Sequence, residues 1–311
     1  MTGAIKNKTY KLNTGALMPA IGLGTWQSPD DQVYEAVKTA IKTGYRHIDT
    51  AFAYSNEKAV GRAIRDALAE NNLKRSDLFV TTKLWNTYHR PELVPVAFQK
   101  SLENLDIEYI DLYLMHWPVS LAPTADGTLL PKKPDGANDI DQQQQGKFNE
   151  TWAAMEELLD TGKVKAIGIS NFAIPNIEKL LATAKVIPAV NQVELHPYLP
   201  QQKLFDYCNS KGIHLSAYSP LGSTDSALMK DETLLKIAES RKKTPAHVIL
   251  SWGAARTSIL PKSVTPSRIV SNFDLFDLTS EELKEVDALA STKGQRLIQP
   301  KWGVPVFDEE F

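Results

Sequence analysis

Four ionisable side chains close short apolar runs in this sequence. Asp49 ends R-H-I-D, and Tyr54 follows it in T-A-F-A-Y. Lys83 ends V-T-T-K in V-T-T-K-L-W, and His116 ends L-Y-L-M-H in L-Y-L-M-H-W-P. A carboxylate, a phenol, an ammonium and an imidazole are groups that move protons or hold developing charge. Each alone has a plainer reading. An Asp after a strand commonly forms a turn or caps the next helix, and a lone His or Lys at a strand end is more often solvated than catalytic. Further polar residues occupy the same kind of position: Ser170 and Asn171, Gln192, Tyr218 and Ser219, Lys262 and Ser263. What matters is whether one fold brings them to one rim.

The elements that would do so can be read from the pattern. Strand-like runs fall at Ile21–Trp26, His47–Ala51, Leu78–Leu84, Ile110–His116, Val164–Ser170, Ala189–Glu194, His214–Ser219 and Ile259–Lys262. All are short and apolar, bounded by Gly, Pro, Asn or charge, as strands buried on both faces should be. Helical patterns alternate with them, including D-Q-V-Y-E-A-V-K-T-A-I-K before Gly44 and F-N-E-T-W-A-A-M-E-E-L-L-D-T before Gly162; both end on a glycine suited to a left-handed cap. Eight strands alternating with helices predict an α/β fold closed as a (β/α)8 TIM barrel. An open doubly wound sheet is the alternative, but no G-x-G-x-x-G follows an early strand and no G-x-x-x-x-G-K-[S/T] occurs. In such a barrel the active site forms at the C-terminal ends of the strands, where every residue named above would lie.

K-T-Y-K-L, N-T-G and A-L-M-P-A-I at the start read as an N-terminal β-hairpin. Val119 to Lys147 is a long polar connection with four consecutive glutamines, and such loops are usually functional or disordered. The C-terminal tail after Ser291 is also irregular. With no other break in composition, residues 1–311 read as a single domain.

The 311 residues, 42% hydrophobic and 23% charged, are ordinary for a globular protein with a sizeable core. A formal charge of −2 gives no case for nucleic acid or an anionic membrane. No apolar run approaches a membrane span, and M-T-G-A-I-K-N-K lacks a signal peptide's apolar core. The single cysteine, Cys208, precludes an intrachain disulfide and reads as a buried, inert thiol, consistent with a reducing, cytoplasmic setting. The sequons at Asn7 and Asn149 then carry no meaning.

Three stretches resemble the aldo-keto reductases: G-Y-R-H-I-D-T-A-F-A-Y-S-N-E-K-A-V-G from Gly44, K-A-I-G-I-S-N-F from Lys165, and L-P-K-S-V-T-P-S-R-I-V-S-N from Leu260. The resemblance runs over essentially the whole chain. It implies a barrel enzyme that uses NADPH/NADP+ without a Rossmann motif, with Asp49, Tyr54, Lys83 and His116 as its catalytic tetrad. Reduction of a carbonyl by hydride leaves an alkoxide that must be protonated, and a phenol is a weak acid for this at neutral pH. Lys83 would lower the Tyr54 pKa, Asp49 would hold Lys83, and His116 would donate to the carbonyl oxygen. The same resemblance places Ser170, Asn171 and Gln192 at the nicotinamide carboxamide, Tyr218 against its ring, and Thr25 and Trp26 near the ribose. Ser219 and Leu221 follow along the cofactor. Lys262, Ser263 and Arg268 would take the 2′-phosphate, which favours NADPH over NADH, Asn272 the adenine, and Val264 and Thr265 would also contact the cofactor. Many relatives carry Glu before this Asn; here Ser271 stands there, which loosens the hold expected on the adenine amino group.

Trp26, Trp85 and Trp117 match the family's aromatic substrate wall, together with Tyr54 and His116, and Trp302 in the tail is expected to close over it. Trp152 and Trp252 lie in helical patterns and read as packing. Within the family, the loop H-W-P-V…L-L-P-K-K-P-D-G-A-N-D-I-D resembles the fungal NADP-dependent glycerol dehydrogenase and carbonyl reductase group. The implied partners are small carbonyl compounds, the implied state a monomer. Two rival readings compete with this one. A metal-dependent hydrolase on the same barrel would need converging ligands, and the six histidines form no H-E-x-x-H or comparable set. A non-catalytic NADPH-binding relative is disfavoured by the complete tetrad.

Overall fold

The computed structural model describes residues 5–223 and 226–307. The first four residues of the segment read for a leader, and the last four of the tail, lie outside them. Two antiparallel strands come first, β1 (Thr9–Lys11) and β2 (Leu17–Pro19), paired with Tyr10 opposite Met18. The hairpin expected from the sequence is therefore present. It lies across one end of the main sheet, where Met18 and Leu12 are buried.

Eight parallel strands follow: β3 (Leu23–Gly24), β4 (His47–Asp49), β5 (Phe79–Leu84), β6 (Ile110–Met115), β7 (Val164–Ser170), β8 (Val190–Glu194), β9 (His214–Tyr218) and β10 (Ser258–Leu260). They pair in strict chain order. Single-pair bridges, Ile21 with Ile259 and Gly24 with Lys262, join the first strand region to the last and close the barrel. Each expected strand is found: β7 has the expected bounds, β10 begins one residue early at Ser258 and stops at Leu260, and the others are trimmed at one or both ends. The trimming is greatest in β3, because the chain around it makes only isolated bridges at the closing seam. All six residues of β5 are buried, Thr81, Thr82 and Lys83 included. Continuous burial rather than alternation is what a strand covered on both faces requires.

The helices cover the outside of the barrel. α1 (Asp30–Thr43) opens with Asp30 and Asp31 in its first turn, where they complement the helix dipole. α2 (Glu57–Glu70) and α3 (Val94–Leu105) follow β4 and β5; their contact is so close that a Cβ on Gly61 would fall 1.9 Å from the Leu105 carbonyl oxygen. α4 (Phe148–Glu157) runs on through a 3-10 turn and stops at Gly162, whose φ of 67° is left-handed as the sequence predicts. α5 (Ile174–Leu181), α6 (Gln202–Ser210), α7 (Glu232–Ser240), α8 (Pro245–Arg256) and α9 (Pro266–Phe273) complete the layer. Trp152 on α4 and Trp252 on α8 are buried in the core, and Cys208 on α6 is a buried free thiol. Among the described residues no helix is long and apolar enough to cross a membrane.

The loop between β6 and α4 is ordered by its own hydrogen bonds. Ala122 N donates to the Asp139 carbonyl (2.8 Å), and Asp139 N to that of Pro131 (2.9 Å). Arg90 holds Asp141 through Nε (2.7 Å) and Nη2 (3.2 Å). The glutamine run is part of this frame: Ser120 N donates to Gln145 Oε1, and Gln144 Nε2 donates to Thr151 Oγ1.

Candidate active site

Strand ends and the loops after them bring the singled-out polar residues together at one mouth of the barrel. Lys83, near the end of β5, is completely buried. Its Nζ donates to Asp49 Oδ1 at 2.6 Å, to the Thr50 carbonyl at 2.8 Å and to Tyr54 OH at 3.5 Å. Asp49 ends β4, and its second oxygen accepts from Gln192 Nε2 on β8 at 2.8 Å. Tyr54 arrives by a short 3-10 turn over Phe52–Tyr54, ending at Ser55 with φ 58°. His116 follows β6, with its ring centroid 5.8 Å from that of Tyr54.

Burial dominates the electrostatics. It raises Asp49 and lowers Lys83, each opposed by the attraction of the other. His116 is held well below the ordinary imidazole value by burial and then by the charge of Lys83, so it is neutral and can donate one N–H. The Tyr54 phenol lies well above its ordinary value, pushed by burial, then by Asp49 and Tyr218. The phenol therefore stays protonated at neutral pH.

Next to this quartet lies a second polar set. Asn171, at φ 65°, donates from Nδ2 to the His116 carbonyl (3.0 Å) and to Ser170 Oγ (3.1 Å), and its Oδ1 accepts from Tyr218 OH (2.8 Å). Ser170 Oγ donates to the Gln192 carbonyl at 2.8 Å. Thr25 Oγ1 donates to the Asp49 carbonyl at 2.9 Å. Ser219, at φ 47°, and the half-buried Leu221 continue away from Tyr218.

The far end of the groove lies beyond β10. Lys262 Nζ reaches across the closing seam to the Gln27 carbonyl at 3.2 Å, and its amine is lowered by burial and by the nearby Arg268. Among the described residues neither cation forms an ion pair. Ser263 Oγ accepts from Thr265 N at 3.1 Å, and Thr265 precedes the N-terminus of α9. Val264 lies between them, half-buried, and Asn272 is buried on α9. Two neighbouring cations without a carboxylate, a serine and a helix N-terminus form a donor set suited to a phosphate dianion. Ser271 faces the other way, its hydroxyl 3.1 Å from His247 Nε2 on α8.

The aromatic wall is only partly as expected. Trp302 packs against Trp117 (centroids 5.3 Å) and Trp85 (6.1 Å), and His116 meets Trp85 at 5.2 Å. Among the described residues Trp26 makes no ring contact with them; it is 44% exposed and directly precedes Gln27 at φ 54°. Sequence reasoning missed other parts of this wall. Phe52, Leu129, Ile140, Val306 and Phe307 pack with the three tryptophans, and Trp85 Nε1 donates to the Leu129 carbonyl at 2.6 Å. Only Phe52, between Asp49 and Tyr54, carried a usable signal.

A model of the aldo/keto reductase family matches residues 20–291. The chain belongs to the aldo/keto reductase family. It is 48% identical over 304 residues to the glycerol 2-dehydrogenase (NADP(+)) of Saccharomyces cerevisiae, covering 95% of each chain. An aldehyde reductase of the same yeast is 46% identical, covering 99% of this chain and 100% of its own. Among solved structures, the aldose reductase of Schistosoma japonicum superposes with a TM-score of 0.91 at 40% identity, over 98% of this chain and 100% of that one. This aldo/keto reductase is accordingly an oxidoreductase built on a mixed α/β barrel.

Proposed function

We propose that Tyr54 is the general acid of an NADPH-dependent reductase that converts aldehydes and ketones to alcohols. The observation that carries this reading is Lys83, buried and bridging Asp49 Oδ1 at 2.6 Å to Tyr54 OH at 3.5 Å. Bound in the groove by the residues named below, NADPH would supply a hydride to the carbonyl carbon. Neutral His116 donates to the carbonyl oxygen and fixes its place beside the phenol. Tyr54 gives its proton to that oxygen as negative charge grows there, and Lys83 stabilises the phenolate left behind. Asp49 and the Thr50 carbonyl keep Lys83 aimed.

Ser170, Asn171, Gln192 and Tyr218 would hold the nicotinamide, with Thr25, Trp26, Ser219 and Leu221 along the cofactor. Lys262, Ser263 and Arg268 would hold the 2′-phosphate, Asn272 the adenine, and Val264 and Thr265 would also contact the cofactor. That neither cation forms an ion pair among the described residues supports that end of the assignment. Trp85, Trp117 and Trp302 would form the substrate wall. They offer few fixed polar groups, which suits small to medium aldehydes, glyceraldehyde and aromatic aldehydes among them. Glycerol oxidation would be the slower reverse reaction.

The enzyme would act as one barrel domain over residues 1–311, as a cytoplasmic monomer. Its large exposed apolar side chains, such as Leu17, Val96, Ile187 and Val270, are spread over separate elements, which supports the monomeric reading. The deciding experiment follows NADPH consumption with propanal, glyceraldehyde and benzaldehyde, with NADH in parallel. Turnover with NADPH is expected for all three aldehydes, and its absence for all three would overturn the reading.

A further inference from the structure

The tail that carries Trp302 and Phe307 is held by a carboxylate which the proposed reaction does not use. Glu194 ends β8, two residues beyond Gln192, and is completely buried. Its Oε1 accepts from the backbone N–H of Leu297 at 2.7 Å and its Oε2 from that of Ile298 at 2.8 Å. His196 Nε2 lies 2.9 Å from Oε1, and Arg296 Nη1 3.8 Å from Oε2. Arg296 is itself buried, with its guanidinium 3.7 Å from the centroid of the Phe307 ring. Phe307 in turn packs edge-on against Trp117, with centroids 6.2 Å apart. Contacts thus run unbroken from the end of β8 through Arg296 and Phe307 to the tryptophan beside His116.

A second, weaker clip holds the same tail from the other side. Asn138, in the loop between β6 and α4, donates from Nδ2 to the carbonyls of Lys301 (2.8 Å) and Trp302 (3.2 Å). Between the two clips the tail makes little regular backbone pairing of its own. Its path, and with it the wall, depends on these side chains. A buried carboxylate with several donors is an expensive way to fix a loop unless the position of the loop matters.

We propose that Glu194 is a positioning residue that determines substrate specificity, by pinning residues 296–298 so that Trp302 and Phe307 stand against Trp85 and Trp117. It makes no contact with the groups assigned to proton transfer, so its effect should grow with the portion of substrate that reaches the wall. This inference rests on the reductase reading, and wild-type turnover of propanal tests that reading independently.

The test uses the full chain with NADPH, comparing propanal, too small to span the wall, with a bulky aromatic aldehyde such as naphthaldehyde. In Glu194→Gln, KM for the aromatic aldehyde should rise about five- to twentyfold, the range expected for a residue that acts through others. The values of kcat and KM for propanal should stay within about twofold. The half-buried clip in the loop supplies a second variant outside the barrel core: Asn138→Ala should give the same selective rise, smaller in size. Trypsin should cut after Lys301 faster in both variants. In a Trp302→Ala background, Glu194→Gln should have little further effect on the aromatic aldehyde, because the wall it positions is already lost. Equal losses for both aldehydes, an undiminished effect in the Trp302→Ala background, or unchanged KM and trypsin cleavage in both variants would each overturn the proposal.

Discussion

Tyr54 sits deeper in its electrostatic well than its sequence neighbourhood suggests, and this sets what changing it should do. Tyr54→Phe removes the proton donor and little else, so kcat for propanal should fall by about 10²–10⁴, the usual contribution of a general acid. NADPH affinity, read by quenching of protein fluorescence, should stay within about twofold. A variant that keeps a tenth of wild-type turnover would remove Tyr54 from this role. The raised phenol also gives a sign. Reduction needs the protonated form, which burial extends to higher pH, so its rate should be nearly flat from pH 6 to 9. Alcohol oxidation needs the phenolate and releases a proton; each pH unit upward favours it by about 1.4 kcal/mol. Initial rates in both directions across that range check this, and glycerol oxidation as fast as glyceraldehyde reduction at pH 7 would contradict it. The four ionisable residues were legible because each closes an apolar run. The direction of the Tyr54 shift was not, because burial is set by residues far away in the chain.

At the scale of elements, β10 and α9 make a cationic end to the groove and should decide between the two nicotinamide cofactors. A hydrogen bond to a charged group is worth roughly 1.5–3 kcal/mol, so Arg268→Ala should weaken NADPH by about ten- to a hundredfold. Binding of NADH should change little. Titration of each cofactor into wild type and variant measures the contrast, and equal losses would sink the phosphate assignment. All eight strands could be read from the sequence because burial on both faces makes their apolar runs continuous. The hairpin could be read from its turn. The route of the tail could not, since Leu297, Ile298 and Phe307 show no periodicity and their partners Glu194, Arg296 and Trp117 are distant in sequence. The extra wall residues Leu129, Ile140 and Val306 were not legible for a related reason: they come from the long loop and the tail, where no strand end marks them.

The molecule as a whole carries several histidines that its fold keeps neutral. Burial lowers His47 and His89 to about 3 and His214 to about 4, with Lys83 and His214 adding to the effect on His47. In the unfolded chain these imidazoles take up protons below about pH 6.5. In the native barrel they do so only near pH 3–4. Stability is therefore complete above pH 6.5 and should be lost as pH falls from there towards 4, by about 1.4 kcal/mol per pH unit for each group. The buried carboxylates Asp49 and Glu57 are shifted upwards by burial and act in the opposite sense, so the comparison is best made within a pair of proteins. Urea unfolding of wild type and His214→Gln from pH 7 to 4.5 should show a shallower acid limb in the variant by about that slope. Parallel limbs would show that His214 is not kept neutral by the fold.

The seam of the barrel has a consequence for how the protein is made. Ile21 and Gly24 wait for Ile259 and Lys262, so the first strand region stays an open edge until nearly the entire chain has left the ribosome. The hairpin before it can form at once; the closure cannot. Lys262, whose Nζ spans that seam to Gln27, is one of the residues proposed to hold the dinucleotide phosphate. A ligand that bound there only once the barrel is sealed would add about 2.7 kcal/mol at a concentration a hundred times its Kd. The cofactor would then serve nascent chains as a fastener. Newly made enzyme in cells starved of NADPH should spend longer open-edged, in the hands of chaperones, than the same enzyme in replete cells.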